Sequence, residues 1–196
     1  MTQRIAELTR TTKETDIRCR LNLDGTGQVE VDTGIGFFDH MLTALGKHAR
    51  FDLALTCKGD LHIDDHHSVE DCALLVGSCL DQALGDRKGI VRFASAYAPL
   101  DEALCRAVVD LSGRPYPDIN MGLTREMLGQ LACENIPHFF ESMAVTARMS
   151  LHVDVLKGRN DHHRSEATFK AVALVLRQAV ARDGSSEVPS TKGMLV

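Results

Sequence analysis

Residues 63–77 read IDDHHSVEDCALLVG, and residues 160–175 read NDHHRSEATFKAVALV. Each stretch contains D-H-H-x-x-E, with His66, His67 and Glu70 in the first copy and His162, His163 and Glu166 in the second. An uncommon pattern written twice calls for a search for duplication before any element is assigned. His40 in FFDHML precedes the first copy and His138 in IPHFFES precedes the second; 98 residues separate His40 from His138, and 96 separate His66 from His162. Between these anchors, ARFDLALTCKG (49–59) lines up with ARMSLHVDVLKG (147–158), and after them DQAL (81–84) lines up with RQAV (177–180). Upstream, IRCRLNLDGTG (17–27) resembles LCRAVVDLSG (104–113). The chain therefore reads as two similar halves, 1–90 and 91–196. With no Pro/Ser-rich linker between them, the expectation is one compact duplicated unit.

The periodicity within a half alternates between strand and helix. Ile17, Cys19, Leu21 and Leu23 alternate with polar residues and run into a D-G turn, which predicts a half-buried strand. QVEVDT (28–33) alternates likewise and is expected to pair with it as a hairpin. FFDHMLTALGKHA predicts a helix, FDLALTC a strand, and Val69, Ala73, Leu74, Val76, Leu80, Ala83 and Leu84 a helix from about His66 to Leu84. The second half repeats strand, helix, strand, turn, helix. That order fits an α+β fold in which each half is an antiparallel-rich sheet with helices packed on one face. The polar, turn-rich end RDGSSEVPSTKGMLV reads as a terminus with little to order it.

Composition narrows the function. A formal net charge of −5 without clustered basic residues argues against nucleic acid and anionic membranes as partners. No apolar run is long enough to span a bilayer. The opening MTQRIAELTRTTKETD lacks the apolar core of a secretion signal, so a cytoplasmic location is the default expectation. The six cysteines, Cys19, Cys57, Cys72, Cys79, Cys105 and Cys133, form no C-x-x-C and read as buried free thiols.

The histidines point to metal chemistry. Residues advance about 100° per position around a helix, so His66 and Glu70 nearly eclipse while His67 points elsewhere. One helix start thus offers an imidazole and a carboxylate in one direction and a second imidazole in another, which suits two metals better than one. Two such helices with His40 and His138 give eight candidate ligands: His40, His66, His67, Glu70, His138, His162, His163 and Glu166. Imidazole with carboxylate suits Mn²⁺, Fe²⁺, Ni²⁺ or Zn²⁺, and the lack of thiolate ligands disfavours a structural zinc site. His48, His62 and His152 have no partner in the other half and read as structural or surface residues.

FFDHML, GDLHIDDHHSVED, APLDEAL, LSGRPY, HHRSEATFKA and the terminal PSTKG together resemble the imidazoleglycerol-phosphate dehydratase family in its monofunctional form. The likeness covers almost the whole chain. It implies a duplicated α+β unit of the ribosomal protein S5 domain 2-like type. It implies a cytoplasmic enzyme of histidine biosynthesis that converts D-erythro-imidazole-glycerol phosphate to imidazole-acetol phosphate. The hydrogen lost in that reaction lies on a carbon with no adjacent carbonyl. The expected route is therefore a metal-bound imidazolate that expels the hydroxyl to give a diazafulvene-like intermediate.

The resemblance further implies two Mn²⁺ ions per active site on the eight ligands above, with His67 and His163 also counted as catalytic. It places Glu14 near the substrate for acid/base work. It assigns phosphate binding to Arg92, Arg114, Lys170, Ser190 and Lys192, whose forks and point charges suit an anion. Ala44 stands where some members carry a glutamine. The expected assembly is a homo-oligomeric closed shell of roughly 24 subunits with sites at subunit contacts. Two rivals share the ligand set. A dinuclear phosphatase would add bridging aspartates, and a metal-storage shell would leave the Arg, Lys and Ser residues unexplained.

Overall fold

The computed structural model describes residues 4–195. The first half runs β1 (Ile5–Thr11), β2 (Thr15–Asn22), β3 (Val29–Asp32), α1 (Gly36–Ala49), β4 (Asp52–Gly59) and α2 (His66–Leu84). The second runs β5 (Phe93–Leu100), β6 (Ala103–Asp110), β7 (Tyr116–Asn120), β8 (Met127–Leu128), β9 (Leu131–Ala132), α3 (Asn135–Thr146), β10 (Ser150–Lys157) and α4 (Asp161–Ala179). The sheets have matching orders, β1-β2-β4-β3 and β5-β6-β10-β7. Among the described residues the short β8-β9 hairpin has no counterpart in the first half.

QVEVDT does form a strand, but it does not pair with β2 as a hairpin. β3 lies parallel to β4, with Val29 opposite Leu53 and Val31 opposite Leu55, while β2 pairs antiparallel with β1 and β4. Asp52 explains the detour. Its Oδ1 accepts the backbone N–H groups of Thr26, Gly27 and Gln28, which swings the loop after β2 across the end of β4. A parallel pair then needs a crossover, which α1 supplies. The second half repeats this with β7, α3 and β10. β1 escapes the sequence pattern because it is an edge strand in which Ala6 alone is fully buried.

α1 and α2 pack on the first sheet, α3 and α4 on the second, and the helices meet as α1 on α4 and α2 on α3. Helices lined on both sides are apolar nearly all round, and α2 buries Val69, Cys72, Ala73, Leu75, Val76, Cys79 and Leu80. Phe38, Phe139, Phe140 and Phe169 fill the centre, with ring centroids 5.4 Å apart for Phe38–Phe139 and 4.6 Å for Phe140–Phe169. Burial of side chains this size stabilises by roughly 1.5–3 kcal/mol each. α2 and α3 approach closely at Gly77, where an added Cβ would lie 2.1 Å from Thr146 Oγ1 and 2.4 Å from the Met143 carbonyl oxygen. All six cysteines are free and buried, as expected. No helix among the described residues is long and apolar enough to cross a membrane.

The C-terminal segment is tied down more than its composition suggests. Gly89 N–H donates to the Glu187 carbonyl, Asp183 N–H to the Gly89 carbonyl, and Arg92 Nη1 to the Pro189 carbonyl at 2.7 Å. These bonds hold it against the connection between the halves.

Candidate metal centres

Helix pairing across the halves gathers the ligands. His40 on α1 meets His162 and Glu166 on α4, and His138 on α3 meets His66 and Glu70 on α2. In each group the ligand atoms lie within 4.8 Å of one another. Glu166 Oε2 is 3.4 Å from both His40 Nε2 and His162 Nε2, and His138 Nε2 is 3.2 Å from Glu70 Oε1. His66 Nδ1 sits 3.0 Å from Asn135 Oδ1, which leaves its Nε2 for the group. Each trio thus takes one histidine from one half and H-x-x-x-E from the other. The donors are imidazole nitrogen and carboxylate oxygen, with no thiolate, and they fit a borderline divalent ion.

Local hydrogen bonds start both ligand helices in the same way. Asp64 Oδ1 and Asn160 Oδ1 each accept the N–H of the first histidine, at 2.9 Å in both cases. The aspartate of each D-H-H is buried and fixes a loop instead of offering a ligand. Asp161 Oδ2 accepts the N–H groups of Thr124 and Arg125, and Asp65 Oδ2 accepts that of Ala132. Both copies therefore brace the segment between β7 and α3.

His67 and His163 join neither trio within the chain. His67 Nδ1 lies 3.1 Å from Asp60, and its Nε2 lies 3.8 Å from Glu14 Oε1. His163 Nδ1 lies 2.7 Å from Glu102 Oε2, and its Nε2 lies 3.8 Å from Asp101 Oδ2. The hydrogen bond to Asp60 raises the His67 pKa, and that to Glu102 raises the His163 pKa. His163, with the N–H groups of Arg159 and Asn160, holds the Glu102 carboxyl far below the usual range. Glu14 is presented on the β1–β2 turn. That hairpin is fastened to α2 by Asp71, which accepts from Arg10 Nε at 2.7 Å and from Thr15 Oγ1 at 2.5 Å.

The cationic residues fall into two places. Lys170 Nζ is 2.7 Å from Glu166 Oε1, beside one trio. Burial pushes the Glu166 carboxyl up, but Lys170 and His40 outweigh it and the net shift is downward. Arg92, Arg114, Ser190 and Lys192 line a separate hollow. Arg92 is already engaged there, forked onto Asp110 at 2.7 and 3.1 Å. His48 and His62 are exposed, and His152 pairs with Asp118; none belongs to a trio.

Asp60, Asp65, Asp71, Glu102, Asn135 and Asp161 were not singled out from the sequence as functional. Asp65 and Asp161 carried a signal, since they stand inside the repeated motif. The others act from neighbouring turns and helix starts, where spacing alone is silent.

The family model described as "Imidazoleglycerol-phosphate dehydratase" matches residues 33–176. A protein of that name from Zymomonas mobilis is 55% identical, with 98% of this chain and 100% of the relative covered. One from Phytophthora nicotianae is 62% identical over 98% of this chain but only 42% of its own length. The crystal structure of imidazoleglycerol-phosphate dehydratase from Staphylococcus aureus matches with a TM-score of 0.80 at 36% identity, covering 91% of this chain and 99% of that one. That from Pyrococcus furiosus, in complex with (S)-C348, matches with a TM-score of 0.83 at 34% identity, covering 96% and 100%. A duplicated α+β fold, two His/Glu trios built across its halves and these matches lead to one conclusion: the chain belongs to the imidazoleglycerol-phosphate dehydratase family of hydro-lyases.

Proposed function

We propose that this chain dehydrates D-erythro-imidazole-glycerol phosphate to imidazole-acetol phosphate with two divalent ions, Mn²⁺ in the first instance, at each active site. The observation that carries this reading is the pair of matched trios, His40/His162/Glu166 and His138/His66/Glu70. Ions held there would serve as Lewis acids toward the substrate's imidazole and as a template for it. The rest of the work falls to the chain's own groups. Glu14, on a fastened turn with its carboxylate 3.8 Å from His67 Nε2, is the acid/base residue. Arg114, Ser190 and Lys192 from one copy, with Lys170 beside the trio of a neighbouring copy, would supply donors for the phosphate, and Arg92 anchors the segment that carries Ser190 and Lys192.

Each trio supplies three protein ligands, while His67 and His163 are turned away from both. This favours a closed homo-oligomer, a shell of roughly 24 subunits, in which those two histidines complete the trios of neighbouring copies. Six unpaired cysteines suit a cytoplasmic setting.

The test is an assay for imidazole-acetol phosphate with chelator-stripped protein. Activity that returns on adding Mn²⁺ supports the reading. No product with any divalent ion, or release of inorganic phosphate instead, overturns it.

A further inference from the structure

The two halves place a glutamate at the same point and use it differently. Leu21 pairs with Leu53 and Val109 with Leu151, so β2 and β6 are equivalent with numbers 88 apart, and Glu14 corresponds to Glu102. In the first half Asp60, from the turn before α2, contacts His67 Nδ1, and Glu14 is left facing Nε2. In the second half Glu102 itself contacts His163 Nδ1.

An ionised carboxylate can only accept, so Nδ1 must be the donor in both contacts. That fixes the tautomer and leaves the Nε2 lone pair free for an ion. The two carboxylates differ in freedom. Glu102 Oε1 also accepts the N–H groups of Arg159 at 3.0 Å and Asn160 at 2.9 Å, while Oε2 faces His163. Both Asp60 oxygens face His67 Nδ1, at 3.2 and 3.1 Å, and no other hydrogen bond ties that carboxylate among the described residues.

We infer that Glu102 and Asp60 are positioning residues that set the ring tautomer of His163 and His67, and that of the two equivalent glutamates Glu14 is thereby the one left for proton transfer. The inference rests on the metal reading above. It has an asymmetric consequence. In Glu102→Gln, the amide oxygen must stay on the two backbone donors, so the NH₂ group faces His163 Nδ1. The ring then accepts at Nδ1 and carries its proton on Nε2, where it blocks an ion. In Asp60→Asn the amide is free to turn its oxygen to His67, and the tautomer is kept.

The experiment is Mn²⁺ binding to the assembled full-length protein by equilibrium dialysis, with the thermal midpoint measured alongside. Wild type is expected to bind two ions per chain. Glu102→Gln is expected to weaken one of them by about 10–100-fold, the usual effect of removing a ligand's outer partner. Its thermal midpoint without metal should stay close to wild type, because the loop bonds persist. Asp60→Asn should bind nearly as wild type does, and Asp60→Ala should weaken one ion. The Asp60 pair carries the test independently of how Glu102→Gln folds. Two tightly held ions in both Glu102→Gln and Asp60→Ala would overturn the inference and leave the metal reading standing. Equal losses in Asp60→Asn and Asp60→Ala would overturn the tautomer account. Wild-type protein that binds no Mn²⁺ would overturn both.

Discussion

Replacing Gly77 by alanine sets two effects of opposite sign against each other. In an open helix the change stabilises by about 1 kcal/mol, because glycine is a poor helix former. At this position an alanine Cβ would fall 2.1 Å from Thr146 Oγ1, 2.4 Å from the Met143 carbonyl and 3.0 Å from the Ala147 nitrogen. Two of these three atoms are backbone and cannot rotate aside, so α2 and α3 must separate. Overpacking of this kind costs about 1–3 kcal/mol, and with backbone in the way the upper part of that range applies. The net is a loss of roughly 1–2 kcal/mol, and a chain this size loses about 2–4 °C of thermal midpoint per kcal/mol. The same two helices carry His66, Glu70 and His138, whereas the other trio stands on α1 and α4. Gly77→Ala should therefore melt a few degrees lower and hold one Mn²⁺ more weakly while the second is unchanged. A thermal scan and a Mn²⁺ titration on the same preparation read both. A higher midpoint, as helix propensity alone requires, would refute the close-packing argument.

Other outcomes follow from the same contacts. Glu14→Gln should lower kcat by about 10²–10⁴-fold with unchanged Mn²⁺ binding, which steady-state kinetics and dialysis separate. Arg87 is buried, pairs with Asp81 and donates to the carbonyls of Leu111, Ala147 and Arg148. Arg87→Met strands these partners and should destabilise by about 3–5 kcal/mol in chemical denaturation. The metal-free and metal-loaded forms should respond oppositely to acid. Asp60 and Glu102 raise the pKa of His67 and His163 in the folded chain. Their contribution to stability is thus complete below the ordinary histidine value of about 6.5 and is lost as pH rises through the folded values. Ions need the neutral rings, so metal affinity should instead fall as pH drops through those values. Melting curves of both forms across that window check the two slopes.

Duplication is legible in the sequence because ligand helices tolerate little variation in phase. His66 and Glu70 share a helix face only four residues apart, and the same spacing recurs at His162 and Glu166. Hydrophobic periodicity gave α1, α2 and β4 for the same reason, since each buries one regular face. The partner of β3 was not legible. An alternating strand reports which face is buried, not which neighbour it meets, and here the Asp52 carboxylate decides. Helical phase did set His67 apart from the His66/Glu70 pair, and His163 likewise, but the pairing of α1 with α4 and α2 with α3 was hidden, so spacing could not say which pair His40 and His138 would each join. Residues that act from turns, such as Asp60 and Glu102, have no periodicity to betray them. They become visible only when the fold sets them beside Nδ1.

Under the proposed function each trio, drawn from both halves, would hold one of two ions used in the dehydration. Counting bound Mn²⁺ per chain in wild type, His40→Ala and His138→Ala, with activity measured on the same samples, tests it most directly. Two ions are expected in wild type, one in each variant, and activity in wild type alone. Equal metal content in all three, or activity that survives the loss of an ion, would contradict it.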